Sequence, residues 1–335
     1  MGRAGMGGMK MANERPGHAR LGYSAAWLWV LLLLAQALPA ADPPRAEVFA
    51  PGVISLPERI EFCLAMGPDG QEIFFTVRKA PGQWEIHHAC FRGGAPSLRG
   101  DSAWQALGIA PFSGTFSDSE PSLSPDGQRL FFSSNRPKQA GAAAVPRGDA
   151  AQSIGTAADY DIWLVERQED GRWSAPRPLP APVNGPGDQW RPSQSRSGNL
   201  YYSSLGLWRC VFDGAVASAP VKLFDPRQPG ALVGGHAFVA PDESYLLTAW
   251  MDGPGGRGGW DLYVSFRDLQ GNWGPSLNLG DEVNTAAGED FPLVSPDGRN
   301  LYFFRYRKDE GGESGDIYRI DARLLDALRE KAGSR

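Results

Sequence analysis

One four-residue turn of the Pro-Asp-Gly type returns five times along this chain, and an apolar or aromatic run follows each copy. The copies are Gly67-Pro68-Asp69-Gly70, Ser124-Pro125-Asp126-Gly127, Ser195-Arg196-Ser197-Gly198, Ala240-Pro241-Asp242-Glu243 and Ser295-Pro296-Asp297-Gly298. The third copy has Ser197 at the Asp position, and the fourth has Glu243 at the Gly position. In such a turn Pro presets φ, Asp accepts backbone N–H groups and Gly adopts positive φ. The runs that follow, such as Leu130-Phe131-Phe132 and Leu301-Tyr302-Phe303-Phe304, are strand-formers. Each copy therefore reads as strand, tight turn, strand.

A second pattern supplies the other half of the repeat. Asp161-Ile162-Trp163 leads to Gly171-Arg172-Trp173, Leu179 and Val183-Asn184. The same series returns 100 residues later as Asp261-Leu262-Tyr263, Gly271-Asn272-Trp273, Leu279 and Val283-Asn284. Asp316-Ile317-Tyr318 opens a further copy that stays unfinished. This pattern reads as a third and fourth strand, with Gly-x-Trp in the hairpin between them and its Trp between neighbouring units. The Asp of each copy (Asp161, Asp261, Asp316) is expected to pair with Arg136, Arg257 or Arg305 of its own unit.

The turn positions lie 57, 71, 45 and 55 residues apart. The longest interval holds an Ala/Gly-rich stretch, 138–158, expected to be a mobile loop insertion; its Arg147-Gly148-Asp149 triplet reads as a chance match. Without it the spacing is close to a propeller blade. The expected fold is all-β: a β-propeller of five four-stranded blades, with six left open if a degenerate blade hides in the longer intervals. The last blade lacks a fourth strand, and the extended residues 47–54 are expected to close the ring by supplying it. Closure removes sheet edges that would otherwise invite aggregation. Residues 323–332 read as a short C-terminal helix.

Residues 25–38 form an apolar run of 14, preceded by Lys10, Arg15 and Arg20 and followed by Ala40 and Ala41. This is the layout of a signal peptide over 1–40, short of the about 20 apolar residues of a membrane span. The expectation is a single propeller domain over 41–335, periplasmic or secreted, not inserted in the membrane, and a monomer. Loss of residues 1–40 moves the net charge from −5 to −8. An acidic domain is a poor partner for nucleic acid, which needs a basic face.

The residues around Glu120-Pro121-Ser122-Leu123-Ser124-Pro125-Asp126-Gly127 and Phe291-Pro292-Leu293-Val294-Ser295-Pro296-Asp297-Gly298, with their following aromatic strands, resemble the TolB-type, WD-repeat-like bacterial propellers. The resemblance covers about 47–321 and implies the fold. Such repeats serve protein-binding scaffolds, sensor domains and the propeller domains of some peptidases, so they do not assign a function.

A search for chemistry returns little. No Gly-x-Ser-x-Gly elbow is present. Beyond the leader only His87, His88 and His236 remain, and adjacent His87 and His88 point to opposite faces of a strand. No Cys-x-x-Cys spacing exists, so no metal or cofactor is expected. Cys63 and Cys90 are placed on neighbouring strands of one blade, where a disulfide is open. Candidate binding residues stand just ahead of each first strand: Asp118, Glu120, Asp188, Trp190, Arg191, His236, Glu289 and Asp290, with Glu58, Arg59 and Glu61 in the first blade. Inner strands line a propeller's channel, so these groups are expected to ring one mouth. The expected function is a non-catalytic propeller that binds a protein, peptide or glycan. The alternative is a hydrolase or lyase acting on carbohydrate or peptide through the mouth carboxylates and His236.

Overall fold

All five turns close in the same way. The N–H of the fourth residue donates to the carbonyl of the first in each: Gly70 to Gly67, Gly127 to Ser124, Gly198 to Ser195, Glu243 to Ala240 and Gly298 to Ser295, at 2.8–3.1 Å. Asp69, Asp126, Asp242 and Asp297 each accept the N–H two residues on. Glu243 takes the glycine's positive φ of 59°. Its carboxylate is held by Arg267 at 2.5 Å, Asn199 at 2.6 Å and Tyr201 at 3.2 Å, which supports a conformation that L-residues otherwise avoid.

The computed structural model describes residues 45–93, 101–138, 159–224, 234–309 and 312–333. The expected leader, the Arg147-Gly148-Asp149 triplet and all of the expected insertion except residue 138 lie outside them. After β1 (Glu47–Val48), four blades follow in chain order. The first holds β2 (Glu61–Met66), β3 (Glu72–Ala80), β4 (Gln83–Phe91) and β5 (Trp104–Ile109). The second holds β6 (Asp118–Leu123), β7 (Arg129–Ser134), β8 (Asp161–Glu166) and β9 (Arg177–Pro178). The third holds β10 (Trp190–Gln194), β11 (Asn199–Ser203), β12 (Leu207–Val211) and β13 (Val221–Phe224). The fourth holds β14 (Gly234–Val239), β15 (Tyr245–Met251), β16 (Trp260–Phe266) and β17 (Leu277–Asn278). The fifth holds β18 (Gly288–Val294), β19 (Asn300–Asp309) and β20 (Gly312–Asp321), and β1 completes it. Every pairing within a blade is antiparallel. The innermost strands touch in the order β2, β6, β10, β14, β18 and back to β2, which makes the ring. A five-bladed β-propeller is the result. Helix α1 (Leu324–Lys331) seats Leu325 against the core between blades four and five. No helix among the described residues is long and apolar enough to cross a membrane.

The core is divided between blade interfaces. Phe75 and Phe91 of blade one pack with Tyr302 of blade five, and Phe74 packs with Phe132 of blade two. Phe131 packs with Tyr202, Tyr201 with Leu246, and Leu262 with Phe303. Each such side chain contributes roughly 1.5–3 kcal/mol when fully buried. The Gly-x-Trp residues act here as expected: Trp173 meets Phe74 of blade one at 5.8 Å, and Trp273 meets Tyr201 of blade three at 6.5 Å.

The echoed Asn has a backbone role. Strands β9 and β17 are two residues long and cannot cover the whole edge of the strand beside them. Asn184 accepts from the Ile162 N–H and donates to the Ile162 carbonyl, and Asn284 does the same for Leu262, at 2.8–3.0 Å. The repeated Asp pairs differently from the expectation. Asp161 meets Lys138, Asp316 meets Arg307, and Asp261 accepts the Arg257 N–H while that guanidinium reaches Asp281. Arg136 and Arg305 turn instead to Asp118 and Glu289, which the strand register sets closer. Cys63 and Cys90 lie on β2 and β4 with β3 between them, not on neighbouring strands, and all three cysteines are free thiols.

Ring closure rests on Arg319. Its guanidinium holds Glu47 at 2.7 Å and Asp101 at 2.6 Å, and the Asp101 carboxylate accepts the Ala50 N–H. Arg319→Met is expected to cost about 1–2 kcal/mol, part of the pair with exposed Glu47 being screened, and to speed amide exchange in β1 and β20 first. Asn284→Ala, read by urea denaturation, is expected to cost about 1–3 kcal/mol because the buried Leu262 amide loses its acceptor. A surface-like cost below 0.5 kcal/mol would remove its structural role.

Candidate functional site at the central mouth

Each innermost strand shifts register near its start, between Phe62 and Ala65, Ser119 and Ser122, Trp190 and Ser193, Gly234 and Ala237, and Asp290 and Leu293. A bulge of this kind re-aims a side chain. Cys63, Glu120, Arg191 and Phe291 sit in the bulges with φ of 51–55°. His236 holds the matching position in blade four, four residues ahead of the turn like the others.

These five unlike residues meet at the centre of the ring. Some of the contacts join blades that are not neighbours. Arg191 donates to Cys63 Sγ in blade one and to the Pro292 carbonyl in blade five at 2.7 Å. Its backbone N–H donates to Glu120 Oε2 at 2.6 Å. His236 stacks on Phe291 with ring centres 4.5 Å apart. Its Nδ1 lies 2.7 Å from Asp290 Oδ2, and its Nε2 lies 3.6 Å from Glu120 Oε1. The imidazole thus stands between two carboxylates.

This layer separates two cavities. Toward the turns lies one of about 310 Å³, lined by Pro68, Pro125, Pro241, Pro296 and Arg191. Toward the strand entries lies one of about 390 Å³. Its walls are aromatic, formed by Phe62, Trp84, Trp190, Phe304 and Tyr306 above Phe291. Glu120, His236 and Ser119 make its polar floor, and Arg78 and Glu313, paired at 2.6 Å, stand at its rim. A neighbouring cavity of about 490 Å³ shares Phe304 and Tyr306 and is bounded by Asp290, Trp260 and Lys308.

Electrostatics set the floor apart. Burial pushes the Glu120 carboxyl above the usual range, against the pull of the His236 and Arg191 charges. For His236 burial opposes the imidazolium, yet the charge and hydrogen bond of Asp290, helped by Glu120, outweigh it and hold its pKa above the ordinary value. Burial likewise keeps the Cys63 thiol protonated, so it is a poor nucleophile. Among the described residues no group of three His, Cys, Asp or Glu side chains could hold a metal ion.

The structure divides the expected mouth residues. Glu120, Trp190, Arg191, His236 and Asp290 come together around the central layer. Asp118 and Glu289 are fully buried two residues ahead of the central layer and are consumed by Arg136 at 2.6 Å and Arg305 at 2.8 Å. Asp188 accepts the Tyr160 N–H at 2.9 Å, as loop structure. Glu61 pairs with Arg59 in the same layer as Asp118 and Glu289, and burial raises its carboxyl to about 7. Glu58 is exposed outside the layer. The sequence reading passed over Cys63 and Phe291 in the central layer, and over Phe62, Trp84, Phe304 and Tyr306 in the wall. The fixed offset of four residues before each turn would have found the first two.

No family model matches the chain, and no curated protein matches it in sequence. Among solved structures, a putative TolB from Agrobacterium tumefaciens is similar at 14% identity and TM-score 0.44, with 80% of each chain covered. An exo-β-1,3-galactanase from Clostridium thermocellum is similar at 14% identity and TM-score 0.47, covering 82% of this chain and 61% of that one. The periplasmic gluconolactonase of Pseudomonas aeruginosa is similar at 14% identity and TM-score 0.42, covering 78% of this chain and 88% of that one. At such identities the likeness is one of fold alone.

Proposed function

We propose that this chain is a binding propeller acting outside the cytoplasm, whose central mouth receives one group of a protein, peptide or glycan partner. The observation that carries this reading is the aromatic-walled cavity of about 390 Å³ over a floor of polar side chains. A concave, mostly apolar site with a few convergent polar groups is the usual form of a ligand site. Aromatic walls supply contact area at small entropic cost, and the polar floor supplies orientation. The leader-like first 40 residues support an extracytoplasmic location.

A second reading, catalysis, draws on the Asp290–His236–Glu120 series. A histidine oriented by one carboxylate and facing another has the parts for acid–base work. Against it stands the loss of Glu289 and Asp118 to buried ion pairs, which leaves Glu120 as the carboxylate on the cup floor.

Peptide and glycan arrays probed with the purified propeller test the binding reading. A retained ligand is expected, and Trp84→Ala is expected to weaken it at least ~10-fold, the effect of losing an aromatic anchor. The thermal transition of the variant checks that it is folded. A ligand held equally by wild type and variant would move the site elsewhere. Turnover of arrayed glycan or peptide that vanishes in Glu120→Gln would favour the enzyme.

A further inference from the structure

The cup floor holds polar atoms that lack partners. Glu120 Oε2 accepts two hydrogen bonds, from the Arg191 N–H and the Ser133 hydroxyl. Glu120 Oε1 accepts none among the described residues, and its nearest cation is His236 Nε2 at 3.6 Å. The Ser119 hydroxyl beside it is buried, lines the same cavity and has no hydrogen-bond partner among the described residues. His236 Nδ1 is committed to Asp290, so in the neutral ring the proton sits there and the Nε2 lone pair faces Glu120 Oε1. Two acceptors then face each other across the floor of an apolar cup. A proton on Nε2 or on Glu120, or a donor from outside, resolves that opposition.

Resting on the binding reading above, we infer that the cup selects a primary alkylammonium, the group a lysine side chain presents. An ammonium nitrogen can lie about 2.9 Å from both Glu120 Oε1 and His236 Nε2, because atoms 3.6 Å apart leave such points about 2.3 Å off the line joining them, on the side of the cup. The alkyl stem lies along Phe62, Trp84 and Phe304, whose faces also favour a cation. Charge agrees with this. With neutral His236, Glu120 and Asp290 bring two negative charges to the layer and Arg191 one positive. Arg191 lines the cavity on the turn side, where Nη1 and Nη2 donate to Cys63 and Pro292 and its buried Nε has no partner among the described residues, while Arg78 and Glu313 cancel at the rim. A sugar would find few hydroxyl partners on the aromatic walls, and an anion would meet the unpaired Glu120 oxygen.

The ligand and the His236 proton compete for the same carboxylates. The groups facing the imidazole are Asp290 on β18, Glu120 on β6 and Arg191 on β10, with uncharged Phe291 and Trp260 against its ring; Lys308 lies in the adjoining cavity. The His236 pKa is raised, so the proton is bound below it and the ammonium is then repelled. Affinity therefore falls as pH drops through the His236 pKa, with protonation of Glu120 acting in the same direction. It holds above that point until the ligand amine itself titrates, near about 10.

The test is an NMR titration of the wild-type propeller from pH 5.5 to pH 9, with the ligands compared at pH 9, following the Trp84 and Trp190 indole resonances. The probes are n-butylammonium, n-butanol, tetramethylammonium and the blocked peptide Gly-Lys-Gly. Expected is binding of n-butylammonium at least ~10-fold tighter than either n-butanol or tetramethylammonium, the size of one charge-assisted hydrogen bond. At pH 5.5 the preference over n-butanol is expected to shrink. Glu120→Gln is expected to bring n-butylammonium down to the n-butanol level and leave n-butanol unchanged. Binding of the peptide assigns a lysine side chain as source, and binding of the free amine alone assigns a small amine. Equal affinity for butanol and butylammonium overturns the ammonium inference while leaving the cup a ligand site. Shifts by no probe overturn it as well, and the arrays then judge the binding reading separately.

Discussion

Five sheets meet at one axis here, and the bulge in each innermost strand decides what stands there. Regular pairing would carry the alternating side chains of these strands past the centre. The register shift adds a residue on the inner strand and turns one side chain per blade into the middle. Four of those residues accept a left-handed backbone without being glycine, which costs roughly 1–2 kcal/mol each. The cost is met where strain is usually found, at the positions that carry unlike chemistry.

The repeat and the site therefore use different residues. Positions shared by the blades serve the sheets: the Asp of the turn holds an N–H, Asn184 and Asn284 complete a strand edge, and Trp173 and Trp273 fill a blade interface. The ion pairs of Asp118 and Glu289 belong to the same group, each tying an inner strand to the arginine that follows its neighbour. Thiol, carboxylate, guanidinium, imidazole and phenyl occupy the one position where the blades disagree. A five-fold scaffold becomes asymmetric only at its axis and in the aromatic wall above it.

That layer also plugs the channel. Arg191 spans from blade three to blades one and five, so the centre holds two separate cups and not a pore. The cup at the strand entries owes its depth to the long β19–β20 hairpin, which carries Tyr306 and Glu313 to its rim. Burial in this setting makes every polar contact count, because an unpaired group in a low-dielectric site has no water to turn to.

Five blades, the closing strand, the turn geometry and the inter-blade Trp could be read from residue order, because each follows from the order and count of a repeated unit and from the strand the last unit lacks. The sequence also singled out Glu120, Arg191, His236 and Asp290, since they break the repeat just ahead of an inner strand. It misassigned the arginines, joining Arg136 and Arg305 to Asp161 and Asp316. Spacing along the chain does not say which partner the register sets closest. Phe62, Trp84, Phe304 and Tyr306 looked like ordinary strand residues until the ring brought blades one and five together. Local pattern determined the blades of this protein. Only closure of the ring decided which side chains share the axis, because those contacts join residues far apart in the chain, such as Cys63 and Arg191, 128 apart, and Phe62 and Phe291.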